Sequence, residues 1–406
     1  MKLKTLSYAL LLAVATAGTV TAHAGETATS NNASAELASY ARDLQAILDA
    51  EYLFEFLTNP RPVAPDDFEQ QFEAAFRAQA TREEFAKRLI PVLAREIPPL
   101  LAAQLERQMN NAIYRKRRLN NLAKANGAAS TDYFTDQEMR LLRGIDDHPA
   151  IKQYVALQPK LRAAIMEAIG RWSVDFAGHL NGMAADAMQQ VEKDLIAARE
   201  ANDGRTITLR SIGFAPWDHI IQAYGQFAIK YTGIFQRQDA ELKRLNYAQF
   251  LRPSYLADKQ HLDQAPSIID KTESVLESTV MQLNTAVKER EETVAQSSLV
   301  KIPQFKKKYE DAIAGLYAFV GDYSEAGRMQ LTQHRQFVSF MQAHRENMTV
   351  QDGLVEFRDK ETHAQALAIV GRLEAAQQRM DALIANRESL DNEALNKLRA
   401  LSKPKG

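Results

Sequence analysis

Residues 269–294 read IDKTESVLESTVMQLNTAVKEREETV. Ile269, Leu276 and Leu283 stand seven apart, Val280, Val287 and Val294 recur at the same interval, and Glu273 is a polar exception in that second row. Apolar side chains repeating every seven residues mark a helix with one continuous seam that must be buried against other helices. A second seam runs through Ala366, Val370, Leu373, Met380 and Ile384. The stretch between them, from Pro303 to about Glu346, predicts another long helix, bent or interrupted at Gly315, Gly321 and Gly327, since each glycine costs about 1 kcal/mol against alanine.

The same period continues toward the N-terminus. Leu37, Ala41, Leu44, Ile47 and Leu48 lie at helical spacing, and Phe68, Phe72 and Phe76 stand four apart on one face, as core aromatics do. Thr81 with Glu84, and Thr135 with Glu138, have the spacing of capping boxes. Pro91 and the pair Pro98-Pro99 are expected to break the helical run twice, because proline removes a backbone donor and restricts the residue before it. Pro159 is expected to open a long helix reaching about Glu200, in which Gly178 and Gly182 admit a close neighbour. Pro216 restarts helix, which runs to about Leu251 and stops at Arg252-Pro253. Thr206 to Leu209, TITL, is the one stretch with strand character.

These patterns predict an all-α chain, an elongated bundle of long helices or two helical lobes, with a coiled-coil-like C-terminal half. The expected divisions are 1–24 signal peptide, 25–32 flexible leader, 33–200 N-terminal helical region, 201–215 connector, 216–401 C-terminal long-helix region and 402–406 tail.

The first 24 residues decide where the chain is expected to work. Lys2 and Lys4 precede an apolar stretch from Leu6 to Val20, and Ala22-His23-Ala24 has the form of a signal-peptidase site. Cleavage after Ala24 delivers the chain to the periplasm or beyond. With Lys2 and Lys4 removed, 48 basic residues face 51 acidic ones, a net charge of −3, which argues against a nucleic-acid binder. There is no cysteine, which excludes disulfides, thiolate metal sites, cysteine catalysis and a cysteine-linked lipid. No later apolar run approaches the about 20 residues a membrane span needs, so peripheral contact is the only membrane role expected.

Three constellations are chemical candidates. Arg115-Lys116-Arg117-Arg118 is the densest charge run, expected on a helix and suited to an anion or an acidic partner surface. Tyr224, Phe227, Tyr231 and Phe235 share a helical face and are candidates for a hydrophobic groove. Asp175 with His179, and Asp359 with His363, stand four apart and offer two metal ligands from each helix. The sequence holds no H-E-x-x-H, G-x-S-x-G, G-x-G-x-x-G or phosphate-loop motif, and no cofactor is expected. The expectation is therefore a non-enzymatic periplasmic protein that binds an envelope protein partner through helical surfaces. A carrier or sensor of a lipid-like or anionic small molecule is the alternative, and a metal-dependent bundle enzyme the third reading.

Overall fold

A computed structural model describes residues 31–59, 63–64, 67–127, 133–201, 207–351 and 354–400. The expected signal peptide, the leader up to residue 30 and the tail at 402–406 lie outside the described residues. What is described is all-α, as the periodicity predicts, apart from one two-stranded hairpin. The chain forms two compact units, the first ending at His179 and the second beginning at Leu180. That division falls inside a helix, and residues 202–206 of the connector expected at 201–215 lie outside the described residues.

The first unit contains α1 (Asn31–Ala50), α2 (Leu53–Thr58), α3 (Phe68–Gln79), α4 (Arg82–Glu96), α5 (Pro99–Met109), α6 (Ala112–Ala125), α7 (Asp136–Asp147) and the first part of α8 (Pro149–Ala201). Helix α1 packs on α5 and α4, burying Leu44, Ile47 and Leu48 against a core that includes Phe85, Leu93 and Leu105. The phenylalanine stripe of α3 is core: Phe72 lies 5.4 Å from Phe176, and Phe76 meets Trp172 edge to face at 4.9 Å. Thr135 and Glu138 close a full capping box, whereas Thr81 makes only half of one, accepting from the Glu84 N–H at 3.1 Å.

The prolines behave unequally. Pro91 sits inside an unbroken α4, and Pro159 inside an α8 that already starts at Pro149, so neither interrupts or opens a helix as expected. Proline's fixed φ is helical, and each removes one backbone hydrogen bond; buried Leu89, Val92 and Leu93 hold the turn around Pro91. The break at Pro98-Pro99 is real, and the fold repairs it. Pro98 has no N–H for the Ala94 carbonyl four residues earlier, and the Tyr40 hydroxyl reaches Ala94 O at 3.1 Å, in contact also with Ile97 O.

The second unit holds the rest of α8, then α9 (Ala215–Arg244), the single turns α10 (Tyr247–Phe250) and α11 (Pro253–Leu256), α12 (Lys259–Val294), α13 (Pro303–Ala343) and α14 (Lys360–Ala400). Helix α9 stops at Arg244, earlier than expected, because Asn246 adopts a left-handed φ of 53°. Side-chain ion pairs and hydrogen bonds fix the directions: Lys230 with Glu289 and Arg237 with Gln282 make α12 antiparallel to α9. Arg335 on Glu273 with Tyr317 on Glu291 sets α13 antiparallel to α12, and Arg372 on Gln333 with Arg379 on Glu325 sets α14 antiparallel to α13.

The seam of α12 follows Leu262, Ala265, Ile269, Thr272, Leu276, Thr279, Leu283 and Ala286, all buried. Its second row takes Thr272, Thr279 and Ala286 in place of Glu273 and Val280, while Val287 and Val294 of the expected row are buried as read. The threonines tolerate burial because each hydroxyl donates to a carbonyl one turn back, Thr272 to Ile268 O at 2.8 Å and Thr279 to Val275 O at 2.9 Å. Helix α13 is continuous, contrary to the expected bending at its glycines, and carries a strict heptad itself: Ile313, Leu316, Val320, Tyr323, Gly327, Gln330, His334, Phe337 and Met341 are buried. Gly327 accepts the Leu276 side chain; a Cβ there would stand 2.7 Å from Leu276 Cδ2. Ile207 to Leu209 is not a strand, and Thr206 lies outside the described residues. The strands are Met348–Gln351 (β1) and Leu354–Phe357 (β2), paired antiparallel with Met348 opposite Phe357.

Candidate functional site

The basic run lies in the first turns of α6. Asn111 caps that helix, its side chain accepting from the Ile113 N–H at 2.9 Å, and successive residues then point about 100° apart. The four side chains therefore meet four different surroundings. Arg115 is exposed and reaches only Asn110. Lys116 donates to Glu138 at 3.1 Å and to the Tyr133 carbonyl at 3.1 Å, and stands over the Phe134 ring. Arg117 holds both oxygens of Asp146 at 2.8 and 2.7 Å and stacks over Tyr114. Arg118 pairs with Glu51.

Glu51 is the centre of this arrangement. Its side chain is 4% exposed, and its two oxygens are taken by Arg118 and by the Tyr114 hydroxyl, the latter at 2.6 Å. Burial first, and the Glu51 charge second, raise the Tyr114 hydroxyl above the ordinary tyrosine range, and the same two causes act on Tyr154 of α8. Glu138 is held below the usual carboxylate range by the Thr135 N–H first and by Lys116 after it. Three of the four basic residues thus tie α6 to the end of α1, to α7 and to the α7–α8 junction. Of the anion- or partner-binding reading, Arg115 alone of the four has no carboxylate partner among the described residues.

The metal candidates fall in different units. Asp175 pairs with Arg88 at 2.9 Å, and Arg88 stands over Trp172. Asp359 starts α14, accepting from the Thr362 N–H at 2.8 Å, and its contacts with Thr362 lower its pKa. Among the described residues no three His, Asp or Glu side chains are grouped to hold a metal ion, and the pairs ending in His179 and His363 gain no further ligand.

The aromatic face of α9 belongs to the core of the second unit. Phe227 is buried, Tyr231 lies 4.8 Å from Phe235 and 6.2 Å from Phe319, and Phe235 meets Tyr323 edge to face at 5.4 Å. Tyr224 hydrogen-bonds Glu192, and the Arg290 guanidinium stacks over Tyr224 and Phe227. Phe227, Tyr231 and Phe235 fill space between α9 and α13.

A groove does exist on another face. It follows the α12–α13 seam, has a volume of about 670 Å³, and is floored by Leu276 and Val280 and flanked by Met281 and Tyr317. Met281 is 64% exposed and Tyr317 40%, the former an apolar side chain off the heptad seam of its helix. Helix α9 meets the same two helices through other residues, Gln282 and Glu289 of α12 and Phe319 and Tyr323 of α13. The rim carries Glu277 and Lys288 from α12 and Arg328 from α13. Lys288 has only a loose contact with Glu292 at 3.8 Å, and Glu277 and Arg328 have no ion pair among the described residues.

Sequence reasoning passed over Glu51, Tyr114, Met281 and Tyr317. Nothing local marks the first two, which meet across 63 residues. Met281 carried a signal, a large apolar residue on the solvent side of a helix whose heptad was already assigned. The chain matches no protein-family model, no curated protein and no solved structure.

Proposed function

We propose that this chain is a non-enzymatic helical interaction protein of the bacterial envelope and that the α12–α13 groove is its binding surface. The observation that carries the reading is Met281, exposed beside Tyr317 over an apolar floor and rimmed by the charged side chains of Glu277, Lys288 and Arg328. Exposed apolar residues rimmed by polar ones are the usual mark of a surface that binds protein. The envelope location rests on the signal-peptide features of residues 1–24. No helix among the described residues is long and apolar enough to cross a membrane.

The test places a photo-crosslinking residue at position 281 or, as a control, at Leu367, exposed on α14. In intact cells of the source organism, position 281 is expected to give a discrete protein adduct that position 367 does not. No adduct from 281, or the same pattern from both, overturns the proposal. N-terminal sequencing of the mature protein is expected to begin at Gly25.

A further inference from the structure

We infer that the α12–α13 groove binds a second copy of this chain, by an isologous antiparallel pairing of α12 with its twofold mate. The inference rests on the groove being a protein-binding surface and names its occupant. Seven α12 residues line the groove, and apart from the buried floor residue Leu276 they are Glu277, Val280, Met281, Asn284, Thr285 and Lys288. A twofold axis crossing the groove between the levels of Gln282 and Leu283 sets Glu277 opposite Lys288 of the mate, Val280 opposite Thr285, and Met281 opposite Asn284.

Many helices offer a pattern of this symmetry; the charges make this one specific. The acidic and basic ends of the groove exchange under the twofold axis, so each Glu277 meets a Lys288 and the contact occurs twice, as an isologous interface requires. Helix α13 adds to both ends. Antiparallel packing places Arg328 at the Glu277 end and Tyr317 at the Lys288 end, where Tyr317 contacts Glu291 at 3.4 Å. The axis brings Arg328 to the Tyr317 and Glu291 of the mate, a cation facing a ring and a carboxylate. Met281, the most exposed apolar residue of the patch, becomes its centre, where binding energy concentrates. Glu277 to Lys288 spans only about 17 Å of helix, at 1.5 Å per residue. A contact of that size belongs to the small, reversible class, with a dissociation constant on the order of micromolar.

The test is sedimentation equilibrium of the mature chain from about 1 to 300 μM, bracketing that constant, with circular dichroism confirming that each variant is folded. The wild type is expected to dimerise. Met281→Asp, Glu277→Lys and Lys288→Glu are each expected to weaken dimerisation at least about tenfold, while the double variant Glu277→Lys/Lys288→Glu restores it, because the swapped charges again face their opposites. A wild type that stays monomeric over the whole range, or a dimer unmoved by Met281→Asp, or a double variant no better than the singles, overturns the proposal. If the chain is monomeric while position 281 still crosslinks to a different protein in cells, the second copy is refuted and the interaction surface stands.

Discussion

Replacing Arg118 by methionine tests whether the basic run is a structural clamp. The change keeps most of the aliphatic stem and removes the guanidinium from a Glu51 carboxylate that is 4% exposed. Breaking a fully buried ion pair costs about 3–5 kcal/mol, because a charge is left without its counter-charge. Two features lower that figure. Arg118 is itself 28% exposed, so water already screens part of the attraction, and the Tyr114 hydroxyl still donates to Glu51 at 2.6 Å. The expected loss is about 2–3 kcal/mol, or a fall in Tm of about 5–10 °C at 2–4 °C per kcal/mol. Arg115→Met is the internal control: Arg115 meets only Asn110 at the surface, and its loss is expected to stay within about 0.5 kcal/mol. Urea unfolding followed by far-UV circular dichroism at pH 7 measures both. In the double variant Glu51→Gln/Arg118→Met no buried charge remains, and at least half of the lost stability should return. Equal losses for Arg118→Met and Arg115→Met, or a double variant no more stable than Arg118→Met, would refute the clamp.

Tyr40→Phe leaves the Ala94 carbonyl without the donor that Pro98 cannot supply, and is expected to cost about 1–2 kcal/mol in the same assay. Gly327→Ala puts a methyl group 2.7 Å from Leu276 Cδ2 and should destabilise by about 1–3 kcal/mol, with partial rescue by Leu276→Val. His334 is fully buried, with Nε2 2.7 Å from the Phe250 carbonyl and Nδ1 3.3 Å from the Tyr247 hydroxyl, and burial lowers its pKa from 6.5 against the opposing effect of that carbonyl. A histidine with a depressed pKa binds its proton more readily when unfolded, so stability is complete above pH 6.5 and falls as pH drops from there toward the folded-state value. Urea midpoints at pH 7.5 and pH 5 should show that fall in the wild type and a smaller one in His334→Gln.

The helices were legible because their seams repeat, and the errors come from terms that hydropathy does not contain. Val280 was assigned to the seam ahead of Thr279, yet Thr279 is buried because its hydroxyl is satisfied within its own helix at Val275 O. The sequence predicts a break at Pro91 and a helix start at Pro159, whereas a proline inside a packed helix forfeits one hydrogen bond while the core on either side keeps the axis. The hairpin was missed beside an available cue, Asp352-Gly353 flanked by the alternating Met348, Val350, Val355 and Phe357. For the candidate sites the obstacle was distance along the chain. Arg117 finds Asp146 across 29 residues and Arg118 finds Glu51 across 67, so a run that reads as surplus positive charge is largely neutralised by partners that only the tertiary fold selects.

The hairpin also bears on how the second unit assembles. By reversing the chain within ten residues, Met348 to Phe357, it sets Phe357 edge to face with Phe340 at 5.4 Å and brings the Asn347 carbonyl to the Arg358 N–H at 3.0 Å. The Phe340–Phe357 contact between α13 and β2 therefore closes a loop of fewer than twenty residues just ahead of α14 and loses little chain entropy. Each later pair, Gln333 with Arg372 and then Gln330 with Gln377, forms beside one already made. Docking of α14 can thus proceed as a zipper from the turn outward, a route of low contact order that favours fast folding.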